Sequence, residues 1–342
     1  LNFTQLPFQM FDVTYTDCSA ETQQEIRAII ELWNEKSPVY QVKTSGSTGS
    51  PKSITLTREQ LEASAKRSNS FFNLDENSLV LLSLSSHTIG GKMMIIRALV
   101  GNYSIEIREP GANPIVELSS GSHYSFISLV PYQVKRILEE TPENLDQFDT
   151  ILLGGMGLST QLEQTLASIT PKVYIGFGMT ETVSHIALRR MGNPVYETLE
   201  GVELEASEDG LVISDSKLGI ERMQTTDLVE LMDPRHFTWL GRADFVINSG
   251  GIKIHPENLE QAVDGLIETP FIIGGIPHET LGEACVLLVE KLLPEEKFKQ
   301  VQEVIREKFG KYAAPKQQVV SSILKTENGK IRRKETLKAL LQ

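Results

Sequence analysis

Residues 43–57, KTSGSTGSPKSITLT, place Thr44, Ser45, Gly46, Ser47, Thr48 and Gly49 ahead of a single cation, Lys52. Short hydroxyls, close-approach backbone amides and one lysine suit a polyphosphate held between strands. From Gly46 the stretch nearly fits G-x-x-x-x-G-K-[ST], but Pro51 stands where the second glycine belongs and has no N–H to give. A P-loop also needs its Lys-Ser to open a helix, whereas SITLT alternates polar and apolar and follows VYQVK. The spacing predicts strand, loop, strand. Taken alone, the same residues equally describe a Gly/Ser hairpin tip with a solvated lysine.

Other stretches carry comparable chemistry. In GFGMTET (176–182), Phe177 lies between glycines with a ring free to face a base, Gly178 and Met179 follow, and Thr180 and Glu181 supply a hydroxyl and a carboxylate fit for phosphate and Mg²⁺. A strand-to-helix turn with a capping threonine explains that stretch as well. Asp227, in TTD, has the acceptor pair a ribose diol needs, and Gly241-Arg242-Ala243-Asp244 comes soon after. A surface ion pair is the plainer reading of such an Asp. Lys330, in an Asn-Gly-Lys turn, reads by itself as a solvated tip.

The elements that must position these groups follow from periodicity. Ile26, Ile29, Ile30 and Trp33 line one helical face, and Thr57-x-x-Gln60 is a capping-box pattern before a helix of about residues 58–70. Short apolar runs then alternate with helical patterns: SLVLLSLSS and GKMMIIRALVGN, YSFISLV and PYQVKRILEE, DTILLGG and STQLEQTLASI, then KVYIGFG. This predicts an α/β layer with a buried, mostly parallel sheet. Residues 201–247 read as antiparallel strands, and a smaller α+β unit follows with a helix at 256–264, strands FIIGGI and ACVLLVE, and a helix facing Phe298, Val301, Val304 and Ile305 inward. The expected division is an N-terminal domain, 1–243, and a mobile C-terminal domain, 244–342.

Composition narrows the partners. The chain has 342 residues, 40% of them apolar, with a formal charge of -12 and pI near 5.1. General affinity for nucleic acid or an anionic membrane needs clustered Lys and Arg, so small molecules or proteins are expected instead. No apolar run is long enough for a membrane span, and LNFTQLPFQMFDV does not read as a signal peptide. Cys18 and Cys285 stand far apart with no C-x-x-C, which fits a reducing cytoplasm.

In this order the stretches resemble one family, the adenylate-forming enzymes that include acyl-CoA synthetases, luciferases and peptide-synthetase adenylation domains. TSGSTGSPK looks like the family's phosphate loop, LSSHTIGG (84–91) like its His-containing motif, LLGGMGLS (152–159) like its adenine-side loop and GFGMTET like its Y-G-x-T-E. TTD resembles T-G-D, GRADFVINSGGIKIHPENLE (241–260) the hinge motif, and PHETLGE and NGKIRR close a match running from about residue 39 to 334.

The resemblance implies the roles. Thr44 to Gly49 and Lys52 would hold the β and γ phosphates of ATP; Phe177 would stack on adenine beside Gly154 and Gly155, within the site that Gly178 and Met179 complete. Thr180 would contact the α phosphate, Glu181 would bind Mg²⁺, Asp227 and Arg242 would hold the ribose, and Asp244 would be the hinge. Lys330 would offset the charge that grows when a carboxylate attacks the α phosphorus. Gly250, Gly251 and Lys253 would line the tunnel for coenzyme A, whose thiol displaces AMP from the acyl adenylate.

Only 43 residues precede the phosphate loop, fewer than in most of the family. This short form, with GFGMTETVSHI and LSSHTIGGKMMIIRALV, resembles the o-succinylbenzoate-CoA ligases of menaquinone biosynthesis. His87 and Arg97 are then the basic residues of the acyl pocket, although Arg97 equally fits a helix-surface charge. Four departures are Thr226 for the glycine of T-G-D, Phe245 for a second acid, Phe177 for tyrosine and Lys253 for arginine. A ligase for another aryl or fatty acid, an enzyme that loads a carrier protein, and an inactive nucleotide-binding protein stay open, as does a homodimer. Lys330→Ala is expected to suppress adenylate formation far more than thioester formation from supplied acyl adenylate; equal loss in the two half-reactions would refute the assignment.

Overall fold

The structure, a computed structural model, describes residues 11–43, 53–119, 121–154, 158–325 and 331–340. Strand β1 (Val13–Thr16) leads into α1 (Ala20–Asn34), capped by Ser19, with Ile26, Ile29 and Trp33 buried and Ile30 half-buried. Next, β2 (Val39–Lys43) and β3 (Ser53–Thr57) pair antiparallel as a separate two-stranded sheet, with Lys43 opposite Ser53. Residues 53–57 thus form a strand rather than a helix start, which rules out the P-loop geometry. Helix α2 (Arg58–Phe72) opens on the expected capping box: Gln60 N–H donates to Thr57 Oγ1 at 3.2 Å, and Thr57 N–H donates to Gln60 Oε1 at 2.9 Å.

The alternation then unfolds as β4 (Leu79–Leu82), α3 (Ile89–Gly101), β5 (Ser104–Arg108), β6 (Tyr124–Leu129), α4 (Pro131–Glu140), β7 (Phe148–Leu153), α5 (Thr160–Ala167) and β8 (Lys172–Gly178). These strands run parallel in the order β1-β5-β4-β6-β7-β8. Both faces are covered, so β4 buries successive residues in opposite cores: Val80 and Leu82 pack with Met94 and Ile105, while Leu81 packs with Ile127, Val134 and Ile151.

The sheet changes sense earlier than composition suggests. β9 (His185–Arg190) pairs antiparallel with β8, because the six residues between Gly178 and His185 are too few for a parallel crossover. HIALRR was missed because its first four residues are all buried, so it lacks the alternation of a half-buried strand. β10 (Val195–Thr198) continues the sheet. A three-stranded antiparallel sheet, β11 (Val202–Ser207), β12 (Gly210–Asp215) and β13 (Ile220–Gln224), then interrupts it. β14 (Asp227–Asp233) and β15 (His236–Arg242) return to close the large sheet at ten strands.

Past a single 3₁₀ turn, Ala243–Phe245, the chain builds a second sheet from β16 (Ile247–Ser249), β17 (Ile252–Ile254), β18 (Phe271–His278), β19 (Gly282–Val289) and β20 (Gln318–Val320). Helices α6 (Pro256–Val263) and α7 (Glu295–Phe309) pack on it, α7 through Val301 and Ile305 with Phe298 and Val304 half-buried. A last helix, α8 (Arg333–Leu340), had no counterpart in the periodicity analysis. The fold is therefore a large α/β domain with a mostly parallel sheet and a β-rich portion, joined to a small α+β domain. Among the described residues no helix is long and apolar enough to cross a membrane.

One buried ion pair ties α2 to the three-stranded sheet. Arg67 lies 2.6 Å from Asp215, with side chains 2% and 0% exposed, and Asp215 Oδ1 also accepts the Lys217 and Leu218 N–H groups. Removing one member leaves a charge sealed from water. Asp215→Ala is therefore expected to destabilise the protein by about 3–5 kcal/mol in urea unfolding, and a loss below about 1 kcal/mol would show the pair to be dispensable.

Candidate active site

The turn after β8 sits where the parallel strands end and the antiparallel ones begin. Its register shifts between Phe177 and Gly178, and a Cβ on Gly178 would lie 2.2 Å from the Ser184 carbonyl oxygen, so only glycine lets the strands approach there. Phe177 is half-buried and packs edge-on against Tyr196 and Phe237, with ring centroids 5.8 and 5.2 Å away. Met179 N–H donates to Thr182 Oγ1 at 2.9 Å, which closes a 3₁₀ turn over Thr180–Thr182.

Val183 then takes φ 65°, ψ -51°, and Ser184 N–H reaches back to the Thr182 carbonyl at 2.7 Å. This is a γ-turn, rare and strained, and more so at a β-branched residue. The cost is of order 1–3 kcal/mol. It is offset by the Val183 side chain, fully buried with Leu61, Met93 and Ile96. The consequence is directional: Glu181 stays exposed and Thr180 half-buried, while Ser184 and His185 turn toward α2 and α3.

Arg97 meets them there. It is only 2% exposed, so the helix-surface reading fails. One guanidinium nitrogen lies 2.9 Å from Ser184 Oγ and 3.4 Å from His185 Nδ1, and Met94 Sδ is the other side-chain partner, at 4.0 Å. Its Nε has no partner among the described residues. Burial pulls the guanidinium down to about 10, and no carboxylate touches it among the described residues. His185 Nε2 lies 3.1 Å from Ser68 Oγ on α2. His87 does not join this group: it is exposed beside α3 and lies 2.7 Å from Glu25 Oε1.

On β14, Asp227 is 8% exposed and faces Arg242 in register. Trp239 Nε1 donates to its Oδ1 at 3.0 Å, while Oδ2 meets no protein donor among the described residues. Arg242 donates to Thr226 Oγ1, lies 3.4 Å from Asp244 and sends its main-chain N–H to Glu257 Oε1 at 3.3 Å. Lys334 on α8 lies 3.0 Å from Asp244, so Asp244 touches both domains. Burial raises the Glu257 carboxyl, and its Oε2 has no partner among the described residues.

Gly250 and Gly251 form the β16–β17 turn at φ 59° and 82°, with Gly250 N–H bonded to the Leu281 carbonyl at 2.9 Å and Lys253 exposed nearby on β17. Gly154 is exposed at the end of β7. Thr44 to Gly49, Lys52, Gly155 and Lys330 lie outside the described residues; Lys325 and Ile331, which bracket the last of these, pair antiparallel.

The structure thus groups Arg97 with Ser184, His185 and Ser68, and Arg242 with Asp227, Asp244 and Glu257. Sequence reasoning missed Ser68, Ser184, His185, Trp239 and Glu257. The polar pair Ser184-His185 inside an otherwise apolar run was the available signal.

Comparison with known proteins fits this architecture. The AMP-binding enzyme family matches residues 7–206, more than half of the chain, and the protein belongs to that family. Similar curated proteins are 2-succinylbenzoate–CoA ligases: one from Haemophilus influenzae is 27% identical over 275 residues, covering 75% of this chain and 60% of its own. Another, from Listeria monocytogenes, is 26% identical over 345 residues, covering 92% and 73%. The chain thus spans about three fifths to three quarters of the length of these relatives.

Among solved structures, an acyl-CoA synthetase (AMP-forming)/AMP-acid ligase II-like protein from Dyadobacter fermentans is 32% identical with a TM-score of 0.63, covering 95% of this chain and 96% of that one. The o-succinylbenzoate coenzyme A synthetase of Bacillus subtilis in complex with ATP and magnesium ion shares the fold at 20% identity, TM-score 0.74, covering 87% and 69%.

The close approach at Gly178 is testable against an open position. Gly178→Ala should cost about 1–3 kcal/mol in thermal or urea unfolding because backbone must move. Gly154→Ala, where a Cβ would meet nothing within 4 Å, should stay within about 0.5 kcal/mol of the wild type. Equal stability of the two variants would show that the turn is not closely packed.

Proposed function

We propose that the protein is an ATP-dependent acid–coenzyme A ligase acting on a dicarboxylic aromatic acid of the 2-succinylbenzoate type. The observation that carries the substrate class is Arg97, a buried cation held by neutral acceptors and met by no carboxylate among the described residues. A charge kept from water in this way favours an incoming anion. A monocarboxylic acid uses its one anion in the reaction, whereas a dicarboxylic acid has a second to spare. The names of the curated relatives support the same class.

The remaining residues fit the nucleotide. Asp227 Oδ2 is free to accept from a ribose hydroxyl while Trp239 fixes the other oxygen. Glu181 is a lone exposed carboxylate, and no group of three metal-binding side chains occurs among the described residues. Mg²⁺ held by one carboxylate and phosphate oxygens needs no more than that. The acid's carboxylate oxygen attacks the α phosphorus and pyrophosphate leaves, with Lys52 on the departing phosphates and Lys330 beside the bond that forms. The thiol of coenzyme A then attacks the acyl carbon, and AMP leaves with the electron pair of the broken C–O bond. We place the boundary between the two catalytic arrangements at 243/244, so that the 244–342 domain exchanges Lys330 for the Gly250-Gly251 face by rotating about Asp244.

The test is ATP–pyrophosphate exchange and thioester formation with 2-succinylbenzoate, with the two acids that each lack one of its carboxylates (4-oxo-4-phenylbutanoate and 2-butanoylbenzoate), and with a fatty acid, with and without coenzyme A. The dicarboxylate should be the best substrate, and Arg97→Met should raise its KM at least about tenfold, about 1.4 kcal/mol, while kcat changes little. Turnover of the fatty acid with an inert dicarboxylate would overturn the substrate class. Adenylate formation without transfer to coenzyme A would favour carrier-protein loading, and no exchange with any acid would favour an inactive nucleotide-binding protein.

A further inference from the structure

His185 opens β9 and is 7% exposed, enclosed by Ser68 from α2, Arg97 from α3 and its neighbour Ser184. A guanidinium can only donate, so His185 Nδ1, 3.4 Å from the Arg97 nitrogen, must present a lone pair. Ser184 Oγ already accepts from Arg97 and leaves its own proton free for the same Nδ1, also at 3.4 Å. The ring proton is then on Nε2, donated to Ser68 Oγ at 3.1 Å. Arg97, which has no acceptor to offer, fixes the tautomer, and Ser68, itself fully buried, accepts the ring proton.

We infer that His185 is a positioning residue that aims Arg97 at the substrate's second carboxylate while leaving the arginine's charge uncompensated. This rests on the reading of Arg97 as the anion site. A neutral acceptor is the chemistry the position requires. A carboxylate here would orient Arg97 equally well but would neutralise it, and the incoming anion would then have to displace an internal ion pair. A protonated imidazole would offer no acceptor and would add charge beside Arg97. Burial, then Arg97 and Arg67, hold the His185 imidazolium well below its ordinary range. The side chain is thus available as a neutral acceptor throughout the neutral range.

The prediction separates geometry from charge. His185→Gln keeps a neutral acceptor and should leave the KM for 2-succinylbenzoate within about threefold of the wild type, while His185→Glu and His185→Leu should raise it at least about tenfold. In all three, kcat/KM for whichever monocarboxylic counterpart turns over should stay within about threefold, because that acid does not use Arg97. Equal losses for both acids would overturn the inference, since His185 would then serve the fold or the adenylation step. If Arg97→Met raises the KM but His185→Glu and His185→Leu do not, the inference falls and the Arg97 reading stands. If Arg97→Met leaves the KM unchanged, both fall. The wild-type enzyme gives a readout that needs no variant: nitrogen NMR at neutral pH should show His185 as the Nε2–H tautomer, and an Nδ1–H ring or an imidazolium would overturn the proposal.

Discussion

A guanidinium removed from water needs either a carboxylate or a complete set of acceptors, and among the described residues Arg97 has neither. Its neighbour Arg67, equally buried, shows the ordinary solution in Asp215. The contrast between two arginines on adjacent packed helices organises this part of the molecule. One is neutralised and serves to join α2 to the three-stranded sheet. The other is held in place and left charged. Around them, Asn69 donates to the Arg97 carbonyl and accepts from Tyr103, so the charged group sits on a firmly bonded helix pair.

That arrangement depends on where the sheet changes direction. Six residues between β8 and β9 are enough to reverse the chain but not to cross over it. The reversal forces the close approach at Gly178 and the γ-turn at Val183. The strain is tolerated because Val183 is sealed into the same core that supports α2 and α3. One short segment therefore places Glu181 toward solvent and Ser184 and His185 toward the buried arginine, so that exposed and buried polar groups come from opposite sides of one turn.

A second junction governs the other end of the site. Arg242 bonds through its side chain to Thr226 and through its main chain to Glu257, and Asp244 accepts from both Arg242 and Lys334. Intra-chain contacts that are polar rather than large and apolar resemble those of transient interfaces, for which relative domain motion is the default. Glu257 Oε2 and His255 Nδ1 at this contact are buried and meet no partner among the described residues.

Much of this was legible in the chain itself. Period-2 and period-3.6 patterns marked most strands and helices of residues 19–178, though not β5, and the capping box at Thr57-Gln60 and the strand alternation of SITLT settled the local structure around residues 53–60. Local rules suffice there because each element announces its own buried face. Short motifs likewise marked GFGMTET, TTD and GRAD as chemistry-bearing. Periodicity could not mark β9, whose buried run lacks alternation, nor α8, the last helix of the chain, which packs Leu337 on the second sheet. Nor could it tell that Arg97 lies inside, that His87 pairs with Glu25 instead of joining it, or that Ser68 and His185 stand on either side of one hydrogen bond. Residue type fixes what a group can donate, accept or carry as charge, and the sequence states that outright. Whether a charge is paired, buried or left waiting is a property of what three distant segments bring within about 3 Å of one another, and only the tertiary structure decides it.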